Sequence, residues 1–287
     1  MAASIRDIKQ KVVATKKTSQ ITNAMNMVSA SKLKNAQKST ESFRPYMRRI
    51  EEIICNLANN GEKLEHPLLQ EREVNKTCYI LITSDRGLAG PFNSNLCKLL
   101  SSKIEGTNDI VGTMGVKGYF YCKHKKYNLI EDIIRLPDDV TFDSVYPMVQ
   151  KVVQMYNNKE VDRVVLIYNH FKNTLSIEPS LKQILPIVDD FSEIESNNNH
   201  IYDYEGGISS ILDTILPLYI ENLVYGIILD SKASEHASRM TAMKNATDNA
   251  KEVISQLELR YNRARQAAIT LELTDIIGGA NAANGGN

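Results

Sequence analysis

MTAMKNATDNAKEVISQLELRYNRARQAAITL, Met240 to Leu271, decides how the rest of the chain is read. Met240, Met243, Thr247, Ala250, Ile254, Leu257, Tyr261, Ala264, Ala268 and Leu271 follow one another at alternating spacings of three and four without a slip. That is a 3.5-residue repeat, which winds two helices into a left-handed coil. Several of these seam residues are small, so a partner helix can approach closely. A coil needs that partner.

The run just before the seam, SEHASR (Ser234–Arg239), places a serine, a glutamate and a histidine together. It invites comparison with a hydrolase site. On a helix, however, residues two apart point to nearly opposite faces, so Ser234 and His236 cannot share a proton. Glu235 with Arg239, and Lys244 with Asp248, have the i, i+4 spacing of a solvated helix surface. The stretch therefore reads as the side of a helix, with no catalytic residue assigned.

The partner lies at the other end of the chain. From about Ser4 to Asn59 there is no glycine and a single proline, Pro45. Ile5, Ile8, Val12, Ile21, Met25, Val28 and Ala36 mark an apolar stripe with helical spacing. Asn59 and Gly61 end it. Met1–Thr40 carries eight basic residues against one acid, which leaves +7, although the whole chain balances 34 basic against 34 acidic residues. Such a block is a solvated face or a docking surface for an acidic partner.

Between the helices the pattern changes. Cys78–Ser84, Asp109–Met114, Leu129–Ile134 and Val161–Tyr168 are short β-forming runs, separated by helix-like Ser94–Ile104, Val116–Lys125 and Phe142–Met155. Alternating strands and helices predict a mostly parallel sheet covered by helices. Leu175–Ile177 and Lys182–Ile187 read as an edge strand or hairpin, and polar Ser192–Tyr204 as a linker. The last helix starts at Ile208, with kinks expected near Pro217 or Gly226, and the terminal GGANAANGGN should fray. The domains are thus 1–60, an N-terminal coiled-coil helix; 74–190, an α/β domain; and 208–280, a C-terminal coiled-coil helix. The two helices form one antiparallel coil.

Chemistry is sparse. SDRGLAGPFN (Ser84–Asn93) and the turn Gly112–Gly118 each follow a strand, where α/β sheets bind phosphate, but neither fits a dinucleotide or P-loop fingerprint. The five histidines lack metal spacing, so no metal site is expected. Cys55, Cys78, Cys97 and Cys122 form no C-x-x-C pair and read as reduced, intracellular thiols. There is no Trp to build a nucleic-acid stacking platform. No apolar run is judged long enough to span a membrane, and the start lacks a signal-peptide core. A nucleotide-binding enzyme of Rossmann type and a basic coiled-coil nucleic-acid module remain as alternatives.

Five blocks carry a resemblance: Ile21–Gln37, Ser84–Leu96, Pro217–Gly226, Ala233–Ala250 and Tyr261–Ala280. Together they resemble the gamma subunits of F-type ATP synthases. The resemblance implies an α/β Rossmann-like domain with a long antiparallel coiled coil, no cofactor and no catalytic residue of its own. It implies a rotor shaft that carries torque between an ion-driven membrane c-ring and a catalytic hexamer of alpha and beta subunits, with the epsilon subunit at the globular end. ATP synthesis or hydrolysis would thereby be coupled to the transport of H⁺ or Na⁺.

By the same resemblance, Met25 faces the acidic lever loop of beta, and Arg265 with Gln266 hydrogen-bonds a beta loop near the shaft's tip. Lys32 and Lys34 are assigned to acidic beta surfaces. The apolar end through Leu271–Ile277 would sit in the hexamer's sleeve. Pro91 departs from the glycine usual in its turn. The inserted segment with a regulatory cysteine pair found in chloroplast forms is missing, so no thiol switch is expected. The expected location is the cytoplasmic side of a bacterial plasma membrane, as a peripheral protein, with the mitochondrial inner membrane as the alternative.

Overall fold

The computed structural model describes residues 5–59, 66–104, 108–130, 135–174, 176–188 and 208–284. The linker expected at Ser192–Tyr204 and part of the strand expected at Leu129–Ile134 lie outside them. Helix α1 spans Ile5–Asn59 and helix α5 spans Ile208–Asn284. Between them come strand β1 (Thr77–Ile82), α2 (Phe92–Lys103), β2 (Ile110–Met114), α3 (Val116–Lys125), β3 (Asn128–Leu129), α4 (Phe142–Asn157), β4 (Arg163–Phe171) and β5 (Ile177–Leu185).

The chain divides into two compact units, Ser29–Thr241 and Met1–Val28 with Ala242–Asn287. The larger unit is built on a five-stranded sheet ordered β3-β2-β1-β4-β5. β1, β2, β3 and β4 are parallel, and β5 closes the edge antiparallel to β4. β1 is buried along its length, and its side chains alternate between two cores. Cys78, Ile80 and Ile82 join α4, the end of α1 and the start of α5. Tyr79 and Leu81 join α2 and α3 on the other face.

Three expectations change here. The last strand pair is a single strand, β5. Glu178 and Pro179 look like a break in sequence, but an edge strand tolerates a proline whose missing N–H would face away from the ladder. Pro217 and Gly226 lie inside an unbroken α5, and the helix continues through Gly278 and Gly279 to Asn284. A glycine costs a helix only about 1 kcal/mol, and the terminal alanines offset it. Finally, α5 does contain an 18-residue window of mean hydropathy 1.4, long and apolar enough to cross a membrane, but half of it is buried in the protein. Leu212, Leu216, Ile220, Val224 and Ile228 supply the first core instead.

In the smaller unit α1 and α5 pair directly. Thr22 and Thr247 share a hydroxyl hydrogen bond of 2.7 Å, and Lys16 meets Glu258 at 2.6 Å. As α1 numbers rise from 16 to 22, their α5 partners fall from 258 to 247, so the helices run antiparallel. On α1 the less exposed positions include, beside Met25, the series Ile5, Ile8, Val12, Thr15, Ser19, Thr22 and Asn26. They alternate spacings of three and four, and Ser29, Leu33, Ala36, Thr40 and Phe43 continue the series in the larger unit. The stripe drawn through Ile21 and Val28 is therefore corrected. These two are 60% and 56% exposed, because the real seam is largely polar and hydropathy alone does not reveal it.

Candidate functional site

In an open α/β sheet, ligands bind beyond the carboxyl ends of the strands, where the strand order reverses. Here that point lies between β1 and β4, since β2 flanks β1 on its other side. The loop after β1 is the glycine loop, Ser84–Pro91. Leu88 and Gly90 hold left-handed backbone, φ 62° and 55°. Pro91, at φ −81°, caps α2 without strain, so the glycine usual there is not needed.

The crevice is filled by α5. Ser234 Oγ donates to the carbonyl of Asn169 on β4 at 2.9 Å. Ser238 Oγ donates to the carbonyl of Ala89 at 2.6 Å, and Arg239 reaches the carbonyl of Gly87 at 3.4 Å. Asn169 in turn donates its side-chain amide to the carbonyl of Phe92. A phosphate cradle turns backbone N–H groups toward its anion. This loop instead presents two carbonyls, and β4 a third, to donors on the chain's own long helix.

The second glycine turn is closed in the same manner. A Cβ on Gly115, at φ 104°, would lie 2.1 Å from the Thr83 carbonyl oxygen, and one on Gly118 would lie 2.8 Å from Thr83 Oγ1. Both glycines let α3 press against the end of β1. The first N–H groups of α3 are already taken: Val116 donates to the Asp85 carboxylate at 2.9 Å and Gly118 to Thr83 Oγ1 at 2.8 Å. An internal carboxylate stands where a bound phosphate would compete.

The charges of SEHASR differ from the expectation. Glu235 and Arg239, taken as a wet helix surface, are only 4% and 9% exposed, and Lys232 is 4%. Arg239 Nη2 binds Glu235 Oε1 at 2.8 Å, and Lys232 Nζ binds Glu235 Oε2 at 3.1 Å. Lys232 also donates to the Leu136 carbonyl at 2.9 Å. One carboxylate thus serves two cations, and the carbonyls of Leu136 and Gly87 accept further bonds from Lys232 and Arg239. Buried charge is tolerated only when partnered in this manner. By contrast Lys244 and Asp248 are exposed, and Asp248 pairs with Lys251 at 3.5 Å.

His236 is buried too. Ser234 and His236 share no hydrogen bond: the hydroxyl goes to Asn169, while the ring lies with Nε2 3.9 Å from Asp138 Oδ1. Burial holds the His236 ring below its ordinary pKa; Glu235 and Asp138 oppose this, and Arg239 and Lys232 reinforce it. For Asp138, burial pulls upward, but the hydrogen bond and charge of Lys32, with His236 and Lys232, hold it below the usual carboxylate range. All four cysteines are buried, and none is in a disulfide. Burial pushes Cys78 up to about 12 and Cys97 up to about 11. Cys122 rises to about 12 through burial and the neighbouring Cys97.

None of the residues singled out by resemblance is among the groups that fill the crevice. Met25 is half-buried on α1, while Lys34, Arg265 and Gln266 are exposed. Lys32 is held by Asp138. Along the α5 seam, Met243, Thr247 and Ala250 are buried, and Met240, Ile254, Leu257, Tyr261 and Ala264 are half-buried. Ala268 and Leu271 are exposed.

A family model described as ATP synthase matches residues 4–283. The ATP synthase gamma chain of Staphylococcus saprophyticus is 44% identical over 282 residues, which cover 96% of this chain and 98% of that one. The chain belongs to the ATP synthase gamma family. Solved structures agree on the fold. A chain of the Tetrahymena thermophila mitochondrial ATP synthase central stalk and c-ring is 25% identical, with a TM-score of 0.59 over 79% of this chain and 99% of that one. A chain of the Euglena gracilis mitochondrial ATP synthase OSCP/F1/c-ring assembly is 20% identical, with a TM-score of 0.71 over 98% and 95%. Gamma-family membership leaves the enzyme and nucleic-acid alternatives without support, and the filled crevice accounts for glycine loops that match no nucleotide fingerprint.

Proposed function

We propose that this gamma-family chain acts as the central rotor shaft of an ATP synthase and performs no catalysis itself. The observation that carries this reading is the crevice at the sheet's switch point, occupied by the same continuous helix that bears the coiled-coil seam. A sheet so locked to a helix is built to pass force, and it offers no room for a substrate there.

In this reading the alpha and beta subunits form a hexamer around the coil, and the epsilon subunit and membrane c-ring meet the α/β region. Each beta subunit is met by a different face of the shaft in turn. A face that binds one beta conformation better than another shifts that conformation's population, and rotation cycles nucleotide affinity. Arg265 and Gln266, both exposed, are the contacts to beta near the tip, where a guanidinium can grip a carboxylate bidentately. Met25 and Lys34 face beta along α1. Lys32 reaches an acidic beta surface only by giving up Asp138. Exposed Leu271, Leu273, Ile276 and Ile277 supply an apolar bearing surface. The complex lies as a peripheral assembly on the cytoplasmic side of a bacterial plasma membrane.

Reconstitution tests this. Adding the chain to purified alpha and beta subunits should restore ATPase activity, and a mixture that stays inactive refutes the rotor role. Arg265→Ala should weaken assembly or coupling while the isolated chain keeps its melting temperature. Unchanged coupling would remove the case for that residue.

A further inference from the structure

Asp138 lies where α1, the loop before α4 and α5 converge, all within the larger unit. Its Oδ2 binds Lys32 Nζ on α1. Its Oδ1 lies 3.9 Å from His236 Nε2 on α5, too long for a hydrogen bond. His236 Nδ1 is buried and has no hydrogen-bond partner. A buried polar atom left without a partner calls for an explanation. Beside these groups is a cavity of about 380 Å³, lined by Lys32, Ser39, Asp138, Val140, Lys232 and His236 among others.

We propose that Asp138 is a two-position latch: it holds Lys32 while His236 is neutral, and it moves onto the His236 ring when that ring takes a proton from solvent. The surrounding charges leave Asp138 as the responder. On α5, Glu235 already serves Lys232 and Arg239. Those two cations cannot accept a proton-bearing neighbour without a new carboxylate. On the loop, Asp139 also lines the cavity, and both aspartates are exposed, but it is Asp138 that meets Lys32 and stands 3.9 Å from His236. On α1, Lys32 is the group that would be released. Asp138 has one oxygen not committed to Lys32, and the cavity gives it space to turn.

Burial opposes ionisation of Asp138, but Lys32, His236 and Lys232 together hold its carboxyl below the ordinary value and so favour the charged form that the latch requires. The latch rests on this chain's geometry alone and stands or falls apart from the rotor reading.

The test is a double-mutant cycle on the full chain, Lys32→Met with Asp138→Asn, read by chemical denaturation at about pH 7.5 and about pH 5. At the higher pH the coupling should change the unfolding equilibrium by about two- to fivefold, as for a partly exposed pair. At the lower pH it should fall toward onefold. In a His236→Asn background it should be equal at both pH values. Equal coupling at both in the chain that keeps His236 overturns the latch. NMR titration of the His236 ring needs no change at that residue: Asp138→Asn should lower its midpoint and Lys32→Met should raise it. A ring still neutral at about pH 5, or a midpoint unmoved by Lys32→Met, also overturns the proposal.

Discussion

The two stretches of α5, Ile208–Thr241 and Ala242–Asn284, belong to one helix and follow opposite rules. The first is buried on nearly every side: Leu216, Ile220, Val224, Ile228 and Ala237 are fully enclosed, as are charged Lys232 and Glu235. The second shows one narrow stripe, Met243, Thr247 and Ala250, then half-buried Ile254, Leu257, Tyr261 and Ala264, flanked by half-buried Ala242 and Ala246, and the rest of its length to Gly279 is exposed. In the first the helix is a core element, whose neighbours dictate each side chain. In the second it is a coiled-coil strand, where only the seam is constrained. Identical backbone can therefore carry two different sensitivities to change.

Substitutions should expose the contrast. Glu235→Gln should cost the most, about 3–5 kcal/mol in urea unfolding, because it strips two buried cations of their carboxylate. A loss near zero would show that the charges are hydrated. Ile228→Ala should cost about 2–5 kcal/mol by opening a cavity, whereas Leu271→Ala, 63% exposed, should stay within about 0.5 kcal/mol. Comparable losses at both would erase the distinction between the two stretches. Acid should act on the first stretch alone. His236 has its folded pKa depressed below 6.5, so the stability it supports is complete above that value and is lost as pH falls through the folded pKa. His236→Asn should flatten that slope in pH-dependent melting. The smallest effect belongs to the seam's rim. Removing both Lys16 and Glu258, each about half-exposed, should change stability by no more than about 1 kcal/mol.

The alternation of strands and helices was legible because apolar runs of period two and stripes of period near 3.6 are local signals. On α5 the expected stripe coincides with the less exposed positions from Met240 to Ala264, while its last two members, Ala268 and Leu271, are exposed. Its counterpart on α1 was legible only at Ile5, Ile8, Val12 and Ala36, since Thr15, Ser19, Thr22, Asn26 and Ser29 occupy the seam positions between and look like surface residues. Their small size matters more there than their polarity. Burial of Glu235 and Arg239 was equally hidden. Opposite charges four residues apart read the same on a wet face as in a core. What separates the cases is the Gly87 carbonyl, 152 positions away in sequence. The glycine loop could be seen to miss every nucleotide fingerprint, yet nothing local named the helix that fills its crevice.

That filling has a thermodynamic consequence. A crevice that binds nucleotide in the folded chain alone gains stability as nucleotide accumulates and gives it back as nucleotide is spent. With Ser234, Ser238 and Arg239 seated against Asn169, Ala89 and Gly87, that linkage has no site at which to act. The stability of this crevice then rests on contacts within the chain, and added nucleotide should leave it unchanged.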